Sequence, residues 1–347
     1  MKGLSAVKIG ELSVEPGQKK SGKLVVARRS FTDICSPITV VVGNNDGPTL
    51  AVLAGEHGCE YCGIAAAVKL CKEIKPDQIS GTLIIVPIAN ILMFEGRSLF
   101  VTPIDGVNIY TTYPGDAEGS ITYKIAKTIF DEVVLKANYV VHMHGGDVNE
   151  ALVPFTYFAI TGKKEVDDVS EAMARCFPVD YIYPMTERKV TESLDAAPKG
   201  TTYTTSAEGT IYREASIRGI PGTMSEIGRE GKIEKDLVDK QYQGCLNVMK
   251  YVGMMKGKPE LSINAKKLKN AKLVSAKKGG LFQPFVEIGE RVKKGQVIGE
   301  VVSLDGEVVE TITSPLDGVL ICRMNYAATD PNPLPNQPYL FYITELE

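Results

Sequence analysis

The chain has 347 residues, of which 44% are hydrophobic and 23% are charged, and these proportions are ordinary for a globular protein. A formal net charge of −3 leaves no basic footprint for nucleic acid or for an anionic membrane. No apolar run reaches the roughly 18 residues that cross a bilayer, and the amino-terminal residues lack the apolar core of a signal peptide. We therefore expect a cytoplasmic protein whose partner is a small molecule, with no nucleic acid and no membrane; a homo-oligomer is compatible with the sequence.

The cysteine pattern argues against a disulfide scaffold, because the seven cysteines are scattered and odd in number. Cys59 and Cys62 form a C-x-x-C pair. A structural zinc would need a second Cys or His pair of similar spacing, and the sequence has none. A redox role for the pair is the alternative. We expect instead that Cys62 and Cys71 lie on the buried face of a helix.

The first segment, residues 1–45, is predicted to form short strands. Turn signals follow one another there, with Glu-Pro-Gly at 15–17 and Asn-Asn-Asp-Gly at 44–47. We expect an amino-terminal β lead-in that packs on the next domain and has a purely structural role.

A buried strand and a helix meet in the next segment. Thr49–Ala54 is largely apolar and is followed by a glycine, which is typical of a buried strand. From Glu60 onward, apolar residues recur at spacings of four and three, as an amphipathic helix requires. His57 and Glu60 therefore lie on a turn at the carboxyl end of a strand, where open α/β sheets place their ligands. An imidazole and a carboxylate three residues apart can both bind one metal ion.

The other two histidines of the chain share this placement at the end of a strand. His142 and His144 end a second β-branched strand, Tyr139–Met143, that also runs into glycines. Residues two apart on a strand point to the same face, so both could approach a metal. An isolated His-x-x-Glu is more often a chance pair, but all three histidines end strands. Because catalytic zinc is commonly held by two His and one Glu, the sequence predicts a metal site that includes His57 and Glu60.

Strands and helices alternate between about residues 48 and 255. A helix is predicted where Ile121, Ile125, Ile129 and Val133 repeat every four residues. This alternation favours a largely parallel or mixed sheet covered by helices on both faces. The other predicted elements are the strands Thr82–Pro87, Phe155–Ile160 and Gly222–Ile227 and the helix Glu234–Met255.

The sequence changes character near residue 265. Ala265–Lys278 is basic but has no aromatic residues, which favours a solvated linker running into a strand over a nucleic-acid patch. Strands and turns follow it without helical periodicity. Residues 279–299 and 313–319 resemble a biotinyl/lipoyl-type barrel-sandwich fold, but the hairpin tip Ser303–Gly306 lacks the lysine that such carrier domains modify. We expect this type of fold without the carrier function.

Four motifs carry a resemblance to a known family. They are Gly55–Glu60, Asp105–Asn108 with Tyr113–Asp116, and His144–Gly146. Together, and in this order, they resemble the succinylglutamate desuccinylase/aspartoacylase family of the zinc carboxypeptidase-like superfamily, with similarity from about residue 10 to the carboxyl end. The resemblance implies an α/β hydrolase domain over residues 46–260, with a mixed sheet flanked by helices. It also implies a β-rich, barrel-sandwich-like domain over residues 265–347.

The resemblance assigns roles to individual residues. It implies one zinc ion per chain, held by His57, Glu60 and His144. The family usually has aspartate at the position of His142, so His142 is expected to support the metal ligands rather than to bind the metal. The alternative is that His142 and His144 share or exchange these roles. Glu226 ends a predicted strand and matches the family's general base and acid. From its spacing alone, Glu226 could be an ordinary surface residue.

The chain departs from the family at the substrate-binding motif. Family members typically have Asn-Leu-Asn-Arg where this chain has Asn108–Thr111, so Tyr110 and Thr111 replace the pair that anchors a substrate carboxylate. The guanidinium that would bind a carboxylate in a bidentate manner is missing. The arginine expected to stabilise the oxyanion is not cleanly matched, and Arg97 is the nearest candidate. Asn108, Tyr110 and Thr111 remain candidates for contacting the substrate or for supporting the metal ligands.

These observations predict a zinc-dependent deacylase that cleaves the amide bond of a small N-acylated compound by metal-activated water. Two alternatives stay open. A carboxypeptidase acting on a small peptide would use the same chemistry, but a terminal carboxylate needs the arginine that Thr111 replaces. A metal-retaining binding protein with decayed catalysis would explain the altered motif, whereas the presence of Glu226 favours an enzyme.

Overall fold

A computed structural model describes residues 5–186, 208–330 and 339–347. Within these ranges no helix is long and apolar enough to cross a membrane. A π-helical turn, Phe130–Val134, continues the third helix. The α-helices are α1 (Tyr61–Glu73), α2 (Ile91–Gly96), α3 (Ile121–Ile129), α4 (Lys164–Arg175), α5 (Ile211–Ile217) and α6 (Lys235–Tyr251).

The strands fall into an amino-terminal set, a central set and a carboxyl-terminal set. The first two sets are β1 (Val7–Ile9), β2 (Leu12–Val14), β3 (Lys19–Arg28), β4 (Asp33–Val42), β5 (Asn45–Ala54), β6 (Ser80–Val86), β7 (Tyr139–His144), β8 (Glu150–Leu152), β9 (Phe155–Ala159), β10 (Tyr181–Met185) and β11 (Gly222–Glu226). The third set is β12 (Lys266–Val274), β13 (Gly280–Pro284), β14 (Arg291–Val292), β15 (Val297–Val302), β16 (Val308–Thr313), β17 (Gly318–Met324), β18 (Ala328–Thr329) and β19 (Phe341–Leu346).

One mixed sheet of 13 strands organises the described part of the chain. Its order is β14-β17-β19-β12-β10-β9-β11-β7-β5-β6-β4-β3, and β8 pairs with β17 beside this path. The strands β6, β5, β7 and β11 are parallel neighbours, whereas β9 runs antiparallel to β11 and β4 antiparallel to β6. The predicted mixed α/β sheet is therefore confirmed. The strands predicted between residues 48 and 255 are all present, and the described part of this range also contains β8, β10, α2, α4 and α5, which were not predicted.

Helices cover both faces of this sheet, and β5 shows why its sequence is apolar without alternation. Leu50 and Val52 join the core beneath α1 and α6, while Ala51 and Leu53 join the core beneath α3 and α5. Burial of both faces removes the polar positions that a half-exposed strand would carry. Each fully buried aliphatic side chain stabilises the fold by about 1.5–3 kcal/mol, so β5 is held firmly in the centre of the sheet.

The carboxyl-terminal strands extend the large sheet and add a second sheet of four strands, β16-β15-β13-β18. β12 runs parallel to β10 and antiparallel to β19. The linker interpretation of Ala265–Lys278 is thus corrected, because most of the segment is a strand. Leu268 and Ala271 are buried, and Lys267 Nζ lies 2.8 Å from Glu171 on α4. Most of the lysines that suggested a solvated linker therefore belong to a sheet strand. The barrel-sandwich assignment stays a prediction.

The C-x-x-C pair lies where α1 begins. Cys59 and Cys62 are both buried, and the Cys62 thiol donates to the carbonyl oxygen of Lys232 at 3.1 Å. Burial raises the pKa of both thiols, which disfavours the reactive thiolate. Cys71 is half-buried on the same helix. These surroundings are those of packed, unreactive thiols.

Candidate metal centre and active site

Three adjacent parallel strands end at one edge of the large sheet and position the candidate residues. In register, Leu53 of β5 pairs with His142 of β7, and His144 of β7 pairs with Glu226 of β11. After β5 the chain turns at Gly55, whose φ of 65° is left-handed. A side chain there would also meet the Ile88 Cα at 2.9 Å, so both the backbone conformation and the lack of space require glycine.

The turn brings His57 and Glu60 against His144. His57 Nδ1 lies 2.6 Å from Glu60 Oε1, and His144 Nδ1 lies 2.8 Å from Glu60 Oε2. All three side chains are buried, and their ligand atoms lie within 4.8 Å of one another. Two imidazole nitrogens and a carboxylate that converge in this way could hold a metal ion. The three residues predicted as ligands are therefore brought together.

The charges in this cluster are strongly coupled. Burial alone would raise the pKa of Glu60, but His144 and His57 lower it to about 2. Burial would likewise lower the pKa of His57, but the Glu60 carboxylate raises it to about 9. The carboxylate is thus held in its ionised form, the form that binds a cation.

Asn108 supports His57 from behind. Its Oδ1 lies 3.1 Å from His57 Nε2 and also accepts the Tyr110 backbone N–H at 3.0 Å. A histidine that binds a metal through Nδ1 carries its proton on Nε2 and usually donates it to such an oxygen, which fixes the ring. Glu60 is oriented in the same manner, since its Oε2 accepts the Gly145 N–H at 3.1 Å.

Glu56 was not predicted from the sequence, and it is completely buried beside the two strand-end histidines. Glu56 Oε2 lies 3.0 Å from His142 Nε2 and 3.2 Å from His144 Nε2. Burial would raise the pKa of Glu56, but His142 and His144 hold it well below its usual range. Two features of the sequence could have indicated its role. Glu56 directly precedes His57, and the chain has His142 where the family usually has an aspartate.

Glu226 is the last residue of β11, next to His144 in the sheet. Burial raises its pKa to about 8; the nearby His144 opposes that shift, and the charges of Glu60 and Glu150 add to it. A carboxyl group that titrates near neutral pH can both accept and donate a proton during a reaction. Glu226 is therefore placed beside the metal cluster with suitable chemistry for an acid and base.

Tyr110 and Thr111, which form the altered motif, differ in their position relative to the cluster. The Tyr110 ring lies edge-on to His144, with ring centroids 5.4 Å apart, and 6.1 Å from the ring of His57. Thr111 is exposed at the end of a short 3-10 helix, Ile109–Thr111. Tyr110 thus lies at the site, whereas Thr111 is exposed to solvent.

The arginine candidates are not placed at the cluster by their described contacts. Arg97 is exposed at the end of α2, and it is the neighbouring Phe100 whose ring lies 5.7 Å from that of His57. Other arginines that flank Glu226 form ion pairs instead. They are Arg213 and Arg218, both with Glu214, and Arg229 with Glu234.

Two further buried acids near the centre were not predicted. Burial, together with the charge of Glu60, raises the pKa of Asp147 to about 6 and that of Glu150 to about 7. Glu150 Oε1 accepts the Tyr339 hydroxyl at 2.5 Å, and Tyr339 comes from the carboxyl-terminal part of the chain. Buried acids therefore lie near the candidate metal ligands, and one of them, Glu150, is bound by a residue that is distant in sequence.

This fold and site define a member of a hydrolase family. The profile of the succinylglutamate desuccinylase/aspartoacylase catalytic domain matches residues 46–252. The chain therefore belongs to the succinylglutamate desuccinylase/aspartoacylase family.

Known relatives are similar over most of the chain. The N-alpha-acetyl-L-2,4-diaminobutyric acid deacetylase of Halomonas elongata is 27% identical over 297 residues, which cover 83% of this chain and 80% of that protein. The crystal structure of a succinylglutamate desuccinylase from a Silicibacter species is 25% identical, with a TM-score of 0.79 and 95% of each chain covered. The product-bound ectoine utilization protein EutE (DoeB) from Ruegeria pomeroyi shares the fold at 24% identity, with a TM-score of 0.79 and coverage of 94% and 95%.

Proposed function

We propose that this protein is a zinc-dependent deacylase that hydrolyses the amide bond of a small N-acylated compound. The observation that carries the proposal is the convergence of His57, Glu60 and His144 with Glu226 at one sheet edge. The family match and the Halomonas elongata deacetylase support the same reaction class.

The donor set fits one catalytic zinc per chain. The Nδ1 atoms of His57 and His144 face the two oxygens of Glu60, and two His with one Glu is a common set for catalytic zinc. Zinc bound there would supply a Lewis acid and lower the pKa of a bound water toward about 7. Asn108 keeps the outer nitrogen of His57 occupied, so that ring presents Nδ1 to the ion.

Glu226 would move the proton. Because its pKa is raised to about 8 by burial, this carboxyl group can take a proton from the attacking water and return it to the leaving amine. Its strand is fixed on both sides, by β7 and by β9, so its position relative to His144 is defined by backbone pairing. Such preorganisation favours the reaction because less motion is needed at the transition state.

The substrate's amine portion is proposed to lack a carboxylate next to the amide. Tyr110 offers a ring face and a hydroxyl beside His144, which suits a neutral, hydroxylated or aromatic group. The exposed Thr111 supplies no cation, and Arg213 and Arg229 are ion-paired with glutamates. The carboxypeptidase alternative is disfavoured for the same reason.

The test is turnover of matched N-acyl amines with and without the carboxylate, measured with zinc-loaded and metal-free protein. Since burying a carboxylate without a charge-assisted partner costs about 1–3 kcal/mol or more, kcat/KM for the neutral member should be about tenfold higher. A tenfold preference for the carboxylate-bearing member would contradict the substrate assignment. No zinc-dependent turnover of any N-acyl amine would favour a binding protein with decayed catalysis.

A further inference from the structure

A second cluster of ligand atoms lies behind the first and shares His144 with it. Glu56 Oε2, His142 Nε2 and His144 Nε2 are separated pairwise by 3.0, 3.2 and 2.8 Å. None of the three residues is more than 1% exposed. His144 faces Glu60 with Nδ1 and this second cluster with Nε2, so one ring joins both groups.

Hydrogen bonds alone do not account for these three contacts. A neutral imidazole has one N–H and one lone pair, and an ionised carboxylate only accepts. If both Nε2 atoms carry protons, both can donate to Glu56, but two N–H groups then face each other at 2.8 Å. If one Nε2 lacks its proton, its lone pair faces the Glu56 oxygen at 3.0 or 3.2 Å. With Glu56 ionised, every assignment leaves one repulsive contact inside a buried triangle, and a protonated Glu56 that donates to His142 Nε2 removes the conflict only by placing the His142 proton on Nδ1.

The remaining polar atoms of the cluster do not relieve this conflict. Within the described part of the chain, Glu56 Oε1 and His142 Nδ1 are buried without a hydrogen-bond partner. A proton moved to His142 Nδ1 would therefore be buried and unpaired. Burial and the neighbouring Glu56 raise the pKa of the Tyr113 hydroxyl, and this hydroxyl is also buried without a well-aligned hydrogen-bond partner among the described residues.

A cation bound by all three atoms would resolve this conflict, because each lone pair would then face the ion. Ligand atoms bound to one ion at 2.0–2.1 Å lie about 2.8–3.4 Å apart, which matches the three separations. The donor set, two imidazole nitrogens and one carboxylate oxygen, is the set that suits zinc and similar divalent transition ions.

We propose that Glu56, His142 and Nε2 of His144 form a second site for a divalent transition metal ion of the zinc class. The ring of His144 then bridges two ions, one at each nitrogen. Binding at Nε2 requires that the Nε2 proton leaves to solvent, so His144 becomes an imidazolate and metal uptake releases a proton. The inference rests on the proposed function only in that His144 is shared with the catalytic zinc.

Metal stoichiometry of the wild-type protein tests the proposal directly. After chelation and dialysis, the metal-free protein is titrated with Co²⁺ while the visible absorbance of the bound ion is followed, and Zn²⁺ content is measured separately after reloading. We expect uptake of about two ions per chain, with the second accompanied by proton release. Saturation at about one ion per chain overturns the proposal without any variant being made.

Variants assign the ions to the two clusters. His142→Ala and Glu56→Gln should each retain about one ion per chain, and so should His57→Ala, which removes only a ligand of the first cluster. Glu118→Gln, an exposed carboxylate change of the same kind, should retain the wild-type content. Melting temperature and circular dichroism establish that each variant is folded.

The outcomes separate this proposal from the proposed function. If the wild type holds one ion that survives His142→Ala but not His57→Ala, the second site is refuted and the catalytic site stands. If the single ion survives His57→Ala but not His142→Ala, the second cluster is the metal site and the catalytic ligand set is refuted. Loss of one ion in each variant, from two in the wild type, supports both.

Discussion

Glu226 and His144 end neighbouring parallel strands, and their backbones are in register. The proposed acid and the proposed metal ligand are consequently held by the same ladder of hydrogen bonds rather than by a loop. His57 and Glu60 reach the same place from a turn whose glycine, Gly55, adopts a left-handed conformation. A change at a single side chain should therefore alter the chemistry without disturbing the backbone that positions it.

Replacement of the proposed acid and base gives one such change. Glu226→Gln should retain its metal and its melting temperature but lose about 10²–10⁴-fold in kcat, the usual contribution of general acid–base catalysis. The measurement is kcat on the best substrate of the N-acyl panel, with Glu118→Gln as the matched surface control. Turnover within threefold of wild type would assign the proton transfer to another group.

The shared ligand gives a second prediction. His144→Ala should lose all tightly held zinc, because its ring supplies Nδ1 to the first cluster and Nε2 to the second. Elemental analysis after dialysis against a weak chelator measures this. Retention of the wild-type zinc content in folded His144→Ala protein would place the metal elsewhere.

Local signals of strand, turn and glycine predicted a metal site with His57 and Glu60, and the family resemblance added the roles of His144 and Glu226. Glu56 lies on the same turn as His57, but its sequence neighbours do not show that it faces two histidines. Its importance arises only from β5 and β7 lying side by side, which brings His142 within 3.0 Å. Spacing along the chain does not encode that proximity, so a residue defined by contacts across the sheet could not be found.

At the scale of elements, the short strand β8 connects the region after β7 to the carboxyl-terminal strands. It pairs with β17, with Leu152 opposite Cys322 and Glu150 opposite Met324. The Glu150 side chain accepts a hydrogen bond from Tyr339 and another, at 3.2 Å, from the Asp147 N–H. This carboxyl group thus links the loop after His144 to the carboxyl-terminal strands.

Burial of Glu150 should make stability depend on pH. Its pKa rises from 4.5 to about 7 on folding, so the folded state binds this proton more tightly than the unfolded state. The stability that the protonated group contributes is full below about pH 4.5 and is lost as pH rises to about 7, by up to about 3 kcal/mol.

Glu150→Gln should flatten that part of the stability profile, since glutamine keeps an acceptor for Tyr339 but does not ionise. Urea denaturation of the metal-free proteins at about pH 5 and about pH 7.5 gives the free energies of unfolding. An equal decline for Glu150→Gln and wild type would show that another group is responsible. Glu118→Gln serves again as the exposed control.

Elements in the central region were predictable because β5, β7 and β11 are buried on both faces and therefore apolar. The strand β12 was not, because its lysines dominate the composition while only Leu268 and Ala271 are fully buried. Its ion pair between Lys267 and Glu171 neutralises part of that charge. A strand whose partners are all distant, β10 and β19, leaves little local signature.

At the scale of the whole molecule, the carboxyl-terminal part adds strands to the large sheet and a hairpin turn without a lysine. The turn Ser303–Gly306 joins β15 to β16, and the Gly306 N–H donates to the Ser303 carbonyl at 3.0 Å. With no lysine in this turn, protein made in a host that can biotinylate and lipoylate should have the unmodified intact mass. An added mass that maps to residues 265–347 would show that the carrier function is present.

The pairing of β12 with β10 has a consequence for how this chain can be divided. A protein cut before Lys266 would keep the metal cluster but expose the edge of β10, together with the buried tyrosines Tyr157 and Tyr183 that pack against the last strands. An open, apolar sheet edge pairs readily with another copy, so such a fragment should aggregate rather than work as a smaller enzyme. We therefore expect the two regions to depend on each other for folding, and unfolding should take both apart in a single cooperative step.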